Sequence, residues 1–99
     1  MKRKPSASHD EAIIRRLRKD SAFAAEYLKT TLEDEDNPRV LLIALRHLVH
    51  AEGIAKVAKA AGVKRESLYR ALSQRGNPRL STLIAVTKAI GLRLTVEAA

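Results

Sequence analysis

The sequence predicts an all-α fold of five to six short helices closed by one short strand. Three observations predict it. Apolar residues recur at three- and four-residue intervals along most of the chain, the period of a helix packed on one side. Gly53, Gly62 and Gly91 stand where such runs stop, the position a helix end favours. Only at 92–96 does the interval fall to two, with Leu92, Leu94 and Val96 alternating with Arg93 and Thr95.

The elements follow in order. The first eight residues carry Lys, Pro and Ser without an apolar anchor, and no order is expected there. Ile13, Ile14 and Leu17 then predict a short helix over 10–18. Its apolar stripe is thin, and a helix this short is marginal in water without a surface to dock on. Residues 21–33 form a second helix with Phe23, Tyr27 and Leu28 on one side, ended by the acidic run Glu33, Asp34, Glu35 and Asp36. Asn37 followed by Pro38 reads as an N-cap and a first helical residue. The helix they open runs to about Ala51, and Leu41, Leu42, Leu45, Leu48 and Val49 make it the central core helix. A helix over 54–61 ends at Gly62, another spans 65–73, and a loop over 74–78 follows. Ser81 is expected to cap a last helix that reaches Ile90. The chain thus divides into a basic N-terminal segment, 1–20, and a helical domain, 21–99.

Its 99 residues suit one compact domain, able to bury a core with little margin. There is no cysteine, hence no disulfide and no thiolate metal site. No run of about 18 apolar residues exists, and the basic start has no apolar region behind it, so neither a membrane span nor a secretory signal is expected. Cytoplasm is the default location. The net charge is +8, which favours polyanionic partners. Its distribution says more. Residues 1–19 hold seven Lys/Arg against Asp10 and Glu11, a net +5. Residues 20–37 hold Lys29 against six acids, a net −5. Residues 54–79 hold seven Lys/Arg against Glu66, a net +6.

That last block carries the most informative pattern. From Ile54 to Leu72 it reads as helix, tight turn, helix. Two helices crossing closely need a small residue at the crossing, supplied by Ala58, and a turn residue free to take positive φ, supplied by Gly62. Val57, Val63, Leu68 and Leu72 supply a shared apolar seam. These intervals match the DNA-binding helix-turn-helix. It departs from that pattern in two places: Ala71 stands where a larger aliphatic is usual, with Leu72 expected to fill the space, and Lys64 and Arg65 occupy a turn where small polar residues are common. In such units the start of the second helix meets base edges. Candidate base contacts are therefore Lys64, Arg65, Glu66, Ser67, Tyr69, Arg70 and Ser73. Arg65 and Arg70 suit a bidentate pair on guanine, and Glu66 suits a cytosine amino group. Candidate phosphate contacts are Lys56, Lys59, Arg75 and Arg79, with Ser81 at a helix start whose N–H groups face outward. The plain alternative is a helical corner with a basic rim and no ligand.

From the run Ala25-Glu-Tyr-Leu28, through Ser67-Leu-Tyr-Arg-Ala-Leu-Ser73 and Gly76-Asn-Pro78, to Gly91-Leu-Arg-Leu94, the chain resembles the HigA-like addiction-module antidote proteins, which carry an Xre/Cro-type helix-turn-helix. The resemblance covers about three-quarters of the chain. It implies a phage-repressor-like domain, a near-palindromic operator bound by a homodimer, and a RelE/HigB-like toxin partner. The function then expected is an antitoxin that represses its own operon. The alternatives are a stand-alone helix-turn-helix regulator and a protein-interaction module that binds no DNA. An antidote to a basic toxin would offer acidic groups, and Glu26, Glu33, Asp34, Glu35 and Asp36 form the one such patch. Ile13, Ile14 and Leu17 could fold onto that partner. The competing reading has them cap this chain's own core. A lone strand is not stable by itself, so Leu92, Leu94 and Val96 are expected to pair with the same strand of a second subunit or to extend a partner's sheet.

Other chemistries find less support. His47 and His50 lie three apart, but a structural metal site needs about four ligands. No metal and no cofactor are expected. No nucleophile stands beside a base, so no enzyme is expected. Phe23, Tyr27 and Tyr69 form no platform for stacking single-stranded bases. Tyr27 is expected in the core; Tyr69 is either core or a DNA contact.

Overall fold

The computed structural model of the chain describes residues 5–33 and 37–99, with side chains described from Glu11 onward. It contains six helices: α1 (Pro5–Lys19), α2 (Ser21–Leu32), α3 (Arg39–Glu52), α4 (Ile54–Ala61), α5 (Arg65–Ala71) and α6 (Leu80–Ala89). The all-α expectation stands, and the elements at the two ends of the chain differ most from it.

Helix α1 starts at Pro5, earlier than the apolar spacing indicates. Proline is well suited to a first helical residue because its missing N–H is not needed there. Residues 1–4 lie outside the described part, whereas 5–8 are helical. The second difference is at the C-terminus. Residues 92–99 have no regular secondary structure, so the strand predicted at Leu92, Leu94 and Val96 does not form within one chain. The described part of the chain offers it no neighbouring strand, and an unpaired extended segment leaves its backbone groups to water.

A single residue joins α1 to α2. The Asp20 N–H closes α1 on the Arg16 carbonyl, and the Asp20 carboxylate caps α2 by accepting from the Phe23 N–H at 2.9 Å. Arg16 lies 3.9 Å above the Phe23 ring, and Arg18 Nε donates to the Ala51 carbonyl at 3.0 Å. The second bond satisfies a carbonyl in the last turn of α3 and ties α1 to it.

Helix α3 is the hub of the N-terminal half, packing on α1, α2 and α4, while α4 packs on α5 and α6. Leu17, Leu28, Leu42, Leu45, Leu48, Val49, Val57, Leu68, Leu72 and Val86 form one continuous core. Ile13 and Ile14 are half-buried against it, so the core-capping reading of α1 describes the structure. Of the five apolar residues expected on the buried face of α3, four are buried and Leu41 is half-buried. Two polar residues enter the core, Thr31 and Thr87. Each turns its hydroxyl back to donate to its own helix, onto the Leu28 and Leu83 carbonyls.

Two predicted caps are not made. Helix α3 opens without an Asn37 side-chain bond; the N–H groups of Val40 and Leu41 donate instead to the Asn37 and Pro38 carbonyls, three residues back. Helix α6 starts at Leu80 with Arg79 at the boundary, which leaves Ser81 inside the first turn rather than capping it.

Candidate nucleic-acid interface

The turn between α4 and α5 is fixed by backbone hydrogen bonds. Gly62 has φ +71°, its N–H donates to the Lys59 carbonyl at 3.2 Å, and the Val63 N–H donates to the Ala58 carbonyl at 3.0 Å. These are the paired bonds of a left-handed helix stop. A side chain at Gly62 would find open space, so conformation rather than crowding calls for glycine. Val57 and Leu68 are fully buried, and Ala58 and Leu72 nearly so. Val63 is half-buried against them. Leu72 fills the core position beside a half-buried Ala71, as the departure from the usual pattern requires.

With its inner face committed to that seam, α5 turns the rest outward. Lys64, Arg65, Glu66, Ser67, Tyr69 and Arg70 are all exposed. Tyr69 is 48% exposed, and its ring centroid lies 6.3 Å from that of His50 on α3. Ser73 is placed differently. Helix α5 ends at Ala71, two residues before the predicted end at 73, and the Ser73 hydroxyl donates to the Arg70 carbonyl at 2.8 Å. Its proton is spent on closing the helix, and its side chain is half-buried.

Beyond α5 the chain folds back beneath the helix end. The Gly76 N–H donates to the Ser73 carbonyl at 2.8 Å. A Cβ at Gly76 would overlap the Ala71 carbonyl and lie 2.8 Å from the Arg70 oxygen. Close approach, not positive φ, therefore demands this glycine. The loop leaves Arg75 and Arg79 exposed, with Ser81 exposed one turn on. On the other side of the unit Lys59 is exposed, while Lys56 makes a 3.1 Å ion pair with Glu52 across the α3–α4 junction.

Three residues outside the sequence-derived set, Arg39, Arg46 and His50, border this surface. Arg39, Arg46 and Arg75 line an open groove of about 410 Å³ between α3 and the loop after α5, and His50 meets Tyr69 beside it. Arg39, Arg46 and His50 are exposed. The signal was available in their spacing, since positions 39, 43, 46 and 50 fall on one stripe of a helix. It is the reverse of the apolar face that identified α3.

The two histidines serve different neighbours. His47 Nδ1 is 2.6 Å from the Tyr27 hydroxyl on α2, which makes Tyr27 a half-buried bridge between helices rather than a fully buried core residue. No group of three or more metal-ligating side chains occurs among the described residues. No helix there is long and apolar enough to cross a membrane.

The residues proposed for protein partners are scattered. Leu17 is 5% exposed and belongs to this chain's own core, with Ile13 and Ile14 half-buried beside it. Glu33 is exposed; Asp34, Glu35 and Asp36 lie outside the described residues. Leu92 packs against the core, with its N–H on the Thr87 carbonyl at 3.0 Å. Leu94 is 40% and Val96 98% exposed. Between α2 and the segment over 92–97 runs a second groove, of about 700 Å³, with Leu28, Leu32, Leu92 and Leu94 in its walls.

Comparison with known proteins bears on this arrangement. Residues 10–98 match the family model described as "Probable addiction module antidote protein". A protein of Haemophilus influenzae (strain ATCC 51907 / DSM 11121 / KW20 / Rd), described as uncharacterized, is 41% identical over 71 residues, 72% of each chain. No solved structure matches. With nearly the whole chain matched, this protein belongs to the family of probable addiction module antidote proteins.

Proposed function

We propose that this protein is a sequence-specific repressor of double-stranded DNA and the cytoplasmic antitoxin of a type II toxin–antitoxin pair, a non-enzymatic regulator that neutralises a RelE/HigB-like toxin and represses its own operon. One observation carries the DNA-binding part. A short helix is held by a fully buried seam and a left-handed glycine stop, and it presents Lys64, Arg65, Glu66, Ser67, Tyr69 and Arg70 to solvent. A rigidly held helix with polar, charge-bearing side chains along one face is what the major groove accepts. Arg65, Glu66 and Arg70 read base edges. Ser67 and Tyr69 border them, and Ser73 contributes at the far end only through its oxygen. Lys56, Lys59, Arg75, Arg79 and the first turn of α6 at Ser81 hold phosphates.

The segment over 92–96 supports a homodimer. Leu92 anchors it to the core, while the alternating residues beyond, Leu94 and Val96, stand exposed with no strand beside them. Pairing with its copy about a two-fold axis satisfies both edges and sets two recognition helices on a near-palindromic site. The antidote family supports a toxin partner. The acidic run over 33–36 and the outer parts of Ile13 and Ile14 are the surface proposed for it; Leu17 contributes by fixing α1 in place.

The test is a titration of the operon's own upstream duplex against a random-sequence duplex, across about 50 to 200 mM salt. The expected result is steep salt dependence on both and far tighter binding to the upstream duplex. Arg65→Ala should cost about 1–3 kcal/mol on the upstream duplex and relax one base position. Binding that ignores both salt and the Arg65 change would instead favour a protein-interaction module.

A further inference from the structure

We infer that α3 carries a second phosphate-binding rail, Arg39 and Arg46, which grips the DNA backbone beside the recognition helix; this rests on the DNA-binding reading above. Arg39, Ile43, Arg46 and His50 fall at spacings of four, three and four, which puts them on one stripe of α3. All four are exposed. The stripe is joined to the recognition unit at both ends. At the C-terminal end the His50 ring meets the Tyr69 ring of α5, with 6.3 Å between centroids. At the N-terminal end Arg39 and Arg46 share an open groove with Gln74 and Arg75, from the loop that follows α5. The stripe and the outer face of α5 therefore make one continuous surface, not two separate patches.

Charge decides what that surface fits. The groove brings three arginines together and, among the described residues, has no acidic one in its walls. No ion pair occupies Arg39, Arg46 or Arg75 among the described residues. Such a cluster repels itself unless a polyanion lies along it. Leu42, Ile43 and Leu72 provide an apolar floor, which lowers the local dielectric and strengthens an arginine–phosphate pair above it. A major groove occupied by α5 is bordered on both sides by phosphates. The loop arginines Arg75 and Arg79 and the α3 arginines meet that border together.

The test uses the full chain and a random-sequence duplex of about 20 base pairs. The variant R39Q/R46Q removes the rail; K19Q/K29Q removes the same charge from exposed positions on α1 and α2 and serves as the control. All four residues are exposed, so neither variant should unfold, and circular dichroism checks this. R39Q/R46Q should flatten the plot of log affinity against log salt by about two units of slope, since each lost phosphate contact accounts for about 0.9. Affinity should fall about tenfold or more, equally on random and upstream duplexes, because a phosphate contact carries no sequence information. The control should change the slope far less. If wild type binds duplex and both variants keep its slope, or both lose it equally, the rail is overturned while the recognition helix stands. If wild type binds no duplex, both fall. If R39Q/R46Q leaves DNA binding intact but weakens a poly-glutamate probe, the groove serves an acidic polypeptide and the assignment to DNA is wrong.

Discussion

Two glycines, Gly62 and Gly76, hold the ends of α5 in place by different physics, and substitution should separate them. Gly62→Ala meets no neighbour but must hold φ +71°, at a cost of about 1 kcal/mol. Gly76→Ala drives a methyl into the Ala71 carbonyl, and the loop carrying Arg75 must move. Thermal melts should show a fall of about 4–8 °C for the first. The second should lower DNA affinity more than its effect on melting explains, because it displaces Arg75, a proposed phosphate contact. Leu68→Ala, at a fully buried position, should cost about 2–5 kcal/mol and show in the same melts. The role of Gly62 was legible in the sequence because a helix stop between two apolar runs has few solutions. That of Gly76 was not, since nothing local announces that a chain will pass beneath a helix end. The caps expected at Asn37 and Ser81 failed for a related reason. A cap is decided by the angle at which the preceding chain arrives, and residue type only makes it possible.

Among the elements, periodicity was readable wherever the partner surface lies within the chain. Helices α3 to α6 came out close to their predicted bounds because each has its buried face answered by another helix. The C-terminal segment shows the limit. Its alternation is genuine, but a strand is a property of a pair, and the described chain supplies one edge only. A chain cut after Leu92 keeps the residue that packs on the core and loses the rest. Sedimentation at tens of micromolar should show the full chain as a dimer and the shortened chain as a monomer with unchanged helix content. A full chain that is already monomeric removes the strand-paired dimer. Helix α1 differs in kind. Its short apolar stripe left its destination open, and the structure answers with Leu17 in the core and Arg18 on the Ala51 carbonyl.

Across the whole molecule, charge was legible as blocks but not as a surface. Residues 54–79 pointed to a polyanion, and the exposed positions of Lys59, Lys64, Arg65, Arg70, Arg75 and Arg79 fit that reading. The arginines of α3 sit in a part of the sequence that is nearly neutral, so no linear count could add them to the same face. The ion pair between Lys56 and Glu52 yields a prediction at this scale. Both groups are accessible to solvent, so the pair contributes little to stability. Glu52→Gln should leave the melting temperature within about 1 °C, given that small contribution and the scaling of melting with stability. It should tighten binding to every duplex, the direction expected when a screened negative charge leaves a surface proposed to face phosphates. Fluorescence anisotropy on two unrelated duplexes measures it, and a change confined to one of them would place Lys56 at a base instead.

The single-residue joint at Asp20 has a consequence for how the molecule could be regulated. One residue's side chain starts α2 while its backbone N–H closes α1, so a displacement of either helix strains the bond that holds the other. A partner that grips α1 would pull on the first turn of α2 and, through Arg18, on the last turn of α3, a few residues from α4, the helix that opens the proposed DNA-binding unit. Occupancy at the amino end and the proposed grip on DNA would then be felt by one another along a continuous lever.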